Sequence, residues 1–111
     1  MGITKTEKFT AEQNTIASIS KVIGHPARVA ILEYLFKRKD CVCGDLVDEI
    51  GLAQSTISQH LKELKSIGLI KGETDGASVC YCIDLDNWMK VVGIMKQFLN
   101  QTICSDDSCC S

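Results

Sequence analysis

The sequence predicts a mainly α-helical domain with one small β-hairpin: about five helices in a helix-turn-helix arrangement, followed by a two-stranded wing. Two stretches carry that expectation. The first, Gly44 to Gly72, reads GDLVDEIGLAQSTISQHLKELKSIGLIKG. Leu46, Val47 and Ile50 fall at i, i+1 and i+4 and share one helical face, leaving Asp45, Asp48 and Glu49 to water. Gly51 then permits a sharp turn, and a second helix is expected from about Gln54 to Ile67, with Ile57, Leu61, Leu64 and Ile67 as its apolar stripe. The second stretch lies just downstream. Two β-prone runs, Leu69–Glu73 and Ser78–Ile83, flank Asp75-Gly76, a strong short-range hairpin signal.

The leading end of the second helix carries the first functional candidates. Gln54, Ser55, Thr56, Ser58 and Gln59 are short uncharged donors and acceptors, the kind that read base edges or hold phosphates when a helix start enters a major groove. His60 is a weaker candidate for the same role. Alone, such a row is also compatible with a plain solvent face; the wing that follows favours double-stranded DNA as the partner.

The rest of the chain fits one domain. Its 111 residues are 45% hydrophobic, enough for one core, and a protomer this small gains from a partner subunit. Residues 1–10 are expected to form a loose tail. Ile16, Ile19, Val22 and Ile23 predict a first helix over 11–23, ended by Gly24. Pro26 suits the first turn of the next helix, which should run to about Arg38 and bury Val29, Ile31, Leu32, Leu35 and Phe36. His25 reads as a helix-start residue, and Lys37-Arg38-Lys39 as a solvated charge run. Asp86 is expected to cap a final helix over 87–103, whose Trp88, Val91, Val92, Met95, Phe98 and Leu99 form a broad apolar stripe. The folded domain thus spans 11–103, and 104–111 is a cysteine-rich tail.

Net charge is −2, but residues 1–72 carry 10 Lys/Arg against 8 Asp/Glu, whereas 73–111 carry 2 against 6. This asymmetry permits DNA binding without predicting it, and favours a dimer that adds two sets of phosphate contacts. No apolar run is long enough to span a membrane and no secretory core follows the charged N-terminus, so a cytoplasmic location is expected. No Ser/His/Asp arrangement, carboxylate pair or phosphate loop points to an enzyme.

Seven cysteines in such a chain point to metal or redox chemistry. Cys41 and Cys43 precede the helix-turn-helix, and Cys80 and Cys82 lie on the returning strand of the wing. Each CxC pair places its sulfurs on one face of an extended segment, and pairing of the two segments brings the four thiols within reach of one another. Free cysteine also packs as a small hydrophobe. Cys104, Cys109 and Cys110 lie within seven residues beside Ser and Asp, unlike a core. Three soft thiolates suit As(III) or Sb(III), which take three sulfurs in a pyramid, better than zinc, which prefers four ligands.

Taken together, His25-Pro26-Ala27-Arg28, Cys41-Val42-Cys43, Gln54–Leu61 and the wing resemble the ArsR/SmtB family of metal-sensing repressors. The resemblance implies a homodimer built through the first and last helices, and a repressor that leaves its operator on binding arsenite or antimonite, with no organic cofactor. Arsenic-responsive members often carry Cys-Val-Cys before the DNA-binding helices. Here Gly44 falls where the second thiol is expected, and Val47 occupies the place of a third. Other members bind As(III) or Sb(III) through C-terminal cysteines, which Cys104, Cys109 and Cys110 resemble. The family's last-helix zinc site needs His and carboxylates, and residues 87–103 contain neither. Glu73 and Asp75 also stand where the wing tip is commonly basic. Two alternatives stay open: a thiol redox switch on the same scaffold, and a thiol-rich metal-handling protein without a regulatory role.

Overall fold

Helix α1 (Ala11–Ile23) opens on a reciprocal cap: the Thr10 hydroxyl accepts from the Gln13 amide at 3.0 Å, and Gln13 Oε1 accepts from the Thr10 amide at 2.9 Å. This is a computed structural model, and it describes residues 8–38, 40–42, 44–75 and 78–101. Expectations for residues 1–7, Lys39, Cys43, Gly76, Ala77 and 102–111, including Cys104, Cys109 and Cys110, lie outside the described residues.

Helix α2 (Pro26–Lys37) starts where Pro26 predicts, and His25 is its cap, with Nδ1 accepting from the Ala27 amide at 3.1 Å. Helix α3 (Leu46–Ile50) follows Asp45, which is its N-cap residue. Gly51 then takes a left-handed φ of 81°, the turn of the helix-turn-helix. Helix α4 (Gln54–Ser66) follows, then strands β1 (Ile70–Asp75) and β2 (Ser78–Ile83), paired antiparallel from Ile70 opposite Ile83 to Asp75 opposite Ser78. The five helices and the hairpin are the expected winged helix-turn-helix.

Helix α5 (Leu85–Leu99) corrects one expectation. Its cap is Asp84, not Asp86, and Asp84 Oδ1 accepts from the Asn87 amide at 3.3 Å. Asp84 is the residue still in extended backbone as the wing ends, so its carboxylate reaches three residues ahead. Asp86 instead sits in the first turn, where its charge opposes the positive end of the helix dipole.

The core runs through the middle of the helix-turn-helix. Ile31, Leu64 and Leu69 are fully buried, with Leu35, Val42, Ile57 and Ile70 nearly so. Two expected core residues are not there: Val29 is 40% and Phe36 46% exposed. Phe36 instead meets Trp88 of α5 edge-on at 4.7 Å. Gly68, at φ 77°, lets the Asn87 amide donate to its carbonyl at 2.7 Å and to that of Ile67 at 3.1 Å; a Cβ at Gly68 would lie 2.6 Å from that nitrogen. This close approach ties the end of α4 to the start of α5.

Candidate nucleic-acid interface and thiol cluster

The back of α4 is fixed by Ile57, Leu61 and Leu64, each 5% exposed or less. Its front is open: Gln54, Ser55, Thr56, Ser58 and Gln59 are all exposed. Their bonds to one another are local and solvent-facing, Gln54 Nε2 to Ser58 Oγ at 3.1 Å and Gln59 Nε2 to Glu63 Oε1 at 3.3 Å, so they exchange readily for bonds to a ligand. No side chain caps the helix; Ala53 is at that position. The first amides of α4 therefore lack a side-chain cap at the end of the helix that carries Gln54, where the dipole is positive. Lys62, four residues beyond Ser58, continues this face and is exposed. Sequence reading passed over it, although its spacing was visible.

His60 is different. It is 7% exposed, and its Nδ1 accepts from Arg28 Nε at 3.1 Å. Arg28 also donates through Nη1 to the Val22 carbonyl at 3.1 Å, and the His25 ring lies 4.5 Å from that of His60. Burial, then the neighbouring His25 and Arg28 charges, hold the His60 pKa below its ordinary 6.5. A neutral ring that accepts at Nδ1 carries its proton on Nε2. His60 thus joins the end of α1, the start of α2 and the middle of α4, and sets the orientation of the row beside it.

The second cluster lies at the root of the wing. Val42 and Tyr81 exchange both backbone hydrogen bonds, at 2.7 and 2.8 Å, which adds a single bridge residue to the edge of the hairpin. The next pair outward, Cys41 and Cys82, is then a non-hydrogen-bonded cross-strand pair, the closer of the two kinds; its Cα atoms are 4.5 Å apart and its sulfurs are joined as a disulfide. Cys80, 7% exposed, is disulfide-bonded too. Arg38 donates through Nη1 to Asp45 Oδ2 at 3.1 Å and to the Tyr34 hydroxyl at 2.9 Å, which pins the two ends of the segment carrying Cys41. Between the wing and the helix pair lies a cleft of about 270 Å³, lined by residues that include Val47, Ser58, Val79 and Tyr81.

The Cys41–Cys82 pairing realises part of the expected meeting of the two CxC segments. Glu73 was read from sequence only as an acidic wing residue, yet a carboxylate oxygen of Glu73 lies within 4.8 Å of both sulfurs. The signal that finds it is register: Glu73 pairs with Cys80, and Cys82 lies two residues on, across the same face.

Comparison with known proteins places this architecture. Residues 25–71 match the model of the bacterial regulatory proteins of the arsR family. The chain is 30% identical over 87 residues to the uncharacterized HTH-type transcriptional regulator Rv0081 of Mycobacterium tuberculosis, covering 78% of this chain and 76% of that protein. It is 34% identical over 92 residues to the transcriptional repressor PagR of Bacillus anthracis, covering 83% and 87%. In structure it resembles the homodimeric winged helix-turn-helix domain Mb0332 of Mycobacterium bovis, with a TM-score of 0.63, 20% identity and 96% of each chain covered. The chain belongs to the arsR family, and is a DNA-binding transcriptional regulator with a winged helix-turn-helix.

Proposed function

We propose that the protein is a homodimeric repressor that reads a palindromic operator with α4 and releases it when a thiophilic trivalent metalloid, arsenite or antimonite, is captured by cysteine thiolates. The observation that carries the DNA half is the α4 front: five exposed polar side chains at the open start of a helix whose back is locked into the core. In a two-fold dimer, each α4 start enters a major groove one helical turn from the other. Gln54, Ser55, Thr56, Ser58 and Gln59 make the base and phosphate contacts, and Lys62 adds a phosphate contact. His60, turned inward, positions them. Exposed apolar residues of α5, Leu85 at 62%, Met89 at 63% and Leu99 at 71%, support a second copy as the cover for this helix. The structural neighbour Mb0332 is homodimeric, which supports a dimer.

Cys104, Cys109 and Cys110 are the proposed metalloid ligands, because three soft thiols match the preference of As(III) and Sb(III). Capture biases the dimer toward a form that binds DNA poorly, and DNA must then weaken metalloid binding by the same factor. Replacing all three with Ser should leave operator affinity intact and abolish release by arsenite and antimonite. A triple variant that still releases normally moves the sensor to the wing-root cysteines.

One observation favours a second reading. The Cys41–Cys82 disulfide joins the segment before the helix-turn-helix to the wing, so oxidation itself is a candidate signal. That reading requires release by oxidant and recovery with a dithiol, without any ion bound.

A further inference from the structure

Where the end of α4 meets α1 and α5 lies a pocket of about 370 Å³, lined by neither the α4 front nor any cysteine. That volume falls in the range of small-ligand sites, ~300–1,000 Å³. Its wall is mostly aliphatic: Ile19 of α1 and Val91 of α5 are buried, and Ile67 and Ile94 pack beside them partly buried. Ser18 and Lys90 line it too, and both are exposed. Lys90 is the one charged residue in the lining, and among the described residues no carboxylate pairs with its ammonium. Two further lining residues belong to the joint between α4 and α5. Ile67 ends α4, and its carbonyl accepts from Asn87 Nδ2 at 3.1 Å.

We propose that this pocket binds a medium-chain aliphatic carboxylate, with its chain against Ile19, Ile67, Val91 and Ile94 and its carboxylate on Lys90 and the Ser18 hydroxyl. The lining selects this class. An aliphatic chain gains by leaving water for an aliphatic wall. A carboxylate head meets one cation and a hydroxyl donor, with no acidic residue in the lining to oppose it. A cationic amphiphile meets Lys90 as a like charge, and a small hydrophilic anion leaves the aliphatic wall uncovered.

A second copy of the chain is the rival occupant. With about 3.6 residues per turn, Asn87, Lys90, Val91 and Ile94 face half a turn away from Leu85, Met89 and Leu99 on α5. A partner seated on that outer apolar stripe therefore does not fill the pocket. The ligand instead packs against the residues that tie the end of α4 to α5. Because no cysteine lines the pocket, its occupancy is separate from metalloid capture and from the disulfide.

The test is a calorimetric titration of the full chain with octanoate as probe and no DNA. Octanoate should saturate at one per chain, and hexanoate, two methylenes shorter, should bind about tenfold more weakly. Octylammonium, with the same chain and the opposite head, should give no binding heat. Lys90→Glu should weaken octanoate at least fivefold, and Ser18→Phe, which plugs the pocket from an exposed position, should abolish binding while the far-ultraviolet circular dichroism stays that of the parent. A parent chain that binds no octanoate overturns the site. So does octylammonium that binds as well as octanoate, or unchanged octanoate affinity in Lys90→Glu or Ser18→Phe. Octanoate binding that tightens as the protein is diluted through dimer dissociation makes the pocket the seat of a second copy, and overturns it as well. Operator binding is not part of the readout, so a negative result leaves the repressor proposal standing.

Discussion

Helix α4 and the wing stand side by side across a shallow cleft, yet they are held in place by different kinds of force. The orientation of α4 is set by side chains that reach water barely or not at all, Ile57, His60, Leu61 and Leu64, and by Arg28 bonded to His60 from another helix. The wing has Leu69 and Ile70 buried at its base and Tyr81 and Ile83 packed against the core, and its outer edge is tied to the segment before α3 by one backbone bridge and by sulfur chemistry. Packing is indifferent to the redox state or ion content of the surroundings, whereas thiols respond to both. The protein therefore keeps a fixed helix beside a wing whose restraint is conditional.

The difference can be attacked from either side. The largest effect should come from the fixed side: Leu64→Ala empties a fully buried site and should lower unfolding free energy by about 2–5 kcal/mol, read from the urea midpoint. On the conditional side, reducing the Cys41–Cys82 bond, which spans 41 residues, should cost up to about 4 kcal/mol by loop entropy. Native-state hydrogen exchange should then show lost protection in β1 and β2 while α4 keeps its own. Equal loss in both regions contradicts the division.

Arg28→Ala leaves the His60 ring and the Val22 carbonyl without their donor, and should cost about 1–3 kcal/mol in the same urea experiment. Arg28→Lys should not restore it, because a single ammonium nitrogen cannot occupy the places of both Nε and Nη1 in the guanidinium fork. Gln54→Ala and Gln59→Ala, both on the exposed face, should leave the midpoint unchanged and weaken operator binding by about 1–3 kcal/mol each, roughly 5- to 150-fold, in fluorescence anisotropy.

The smallest effect is that of pH. The folded state holds the His60 pKa below the ordinary 6.5, so the unfolded chain binds more protons between the two values. The His60 contribution is present above pH 6.5 and is lost as pH falls from there through the folded pKa. His60→Gln should flatten the decline in stability between pH 7 and 5, and a slope equal to that of the parent contradicts the assignment.

Much of the fixed side was legible in the sequence. Helical spacing of Ile57, Leu61 and Leu64 gives the back of α4, Gly51 gives the turn, and Pro26 gives the start of α2, because each is a local rule with a local cause. The errors arose where a neighbouring element decides. Asp84 and Asp86 are both plausible caps, and only the point at which the wing strand ends chooses between them. Val29 and Phe36 continue an apolar pattern, but among the described residues both stay exposed, Phe36 with only the edge of Trp88 against it. His60 sits in a row of polar side chains, and its burial depends on Arg28, 32 residues earlier. The wing root is the extreme case. Cys41 meets Cys82 through a register fixed by Val42 and Tyr81, and Glu73 joins through the register of the hairpin. No short window of sequence contains that information.

The most direct test of the whole account is operator affinity of the reduced protein, measured by anisotropy at one fixed salt concentration, alone and then with arsenite, antimonite or oxidant. The account predicts tight binding by the reduced protein and at least a tenfold loss with arsenite or antimonite. Operator affinity that arsenite, antimonite and oxidant all leave unmoved would contradict thiol control of this regulator.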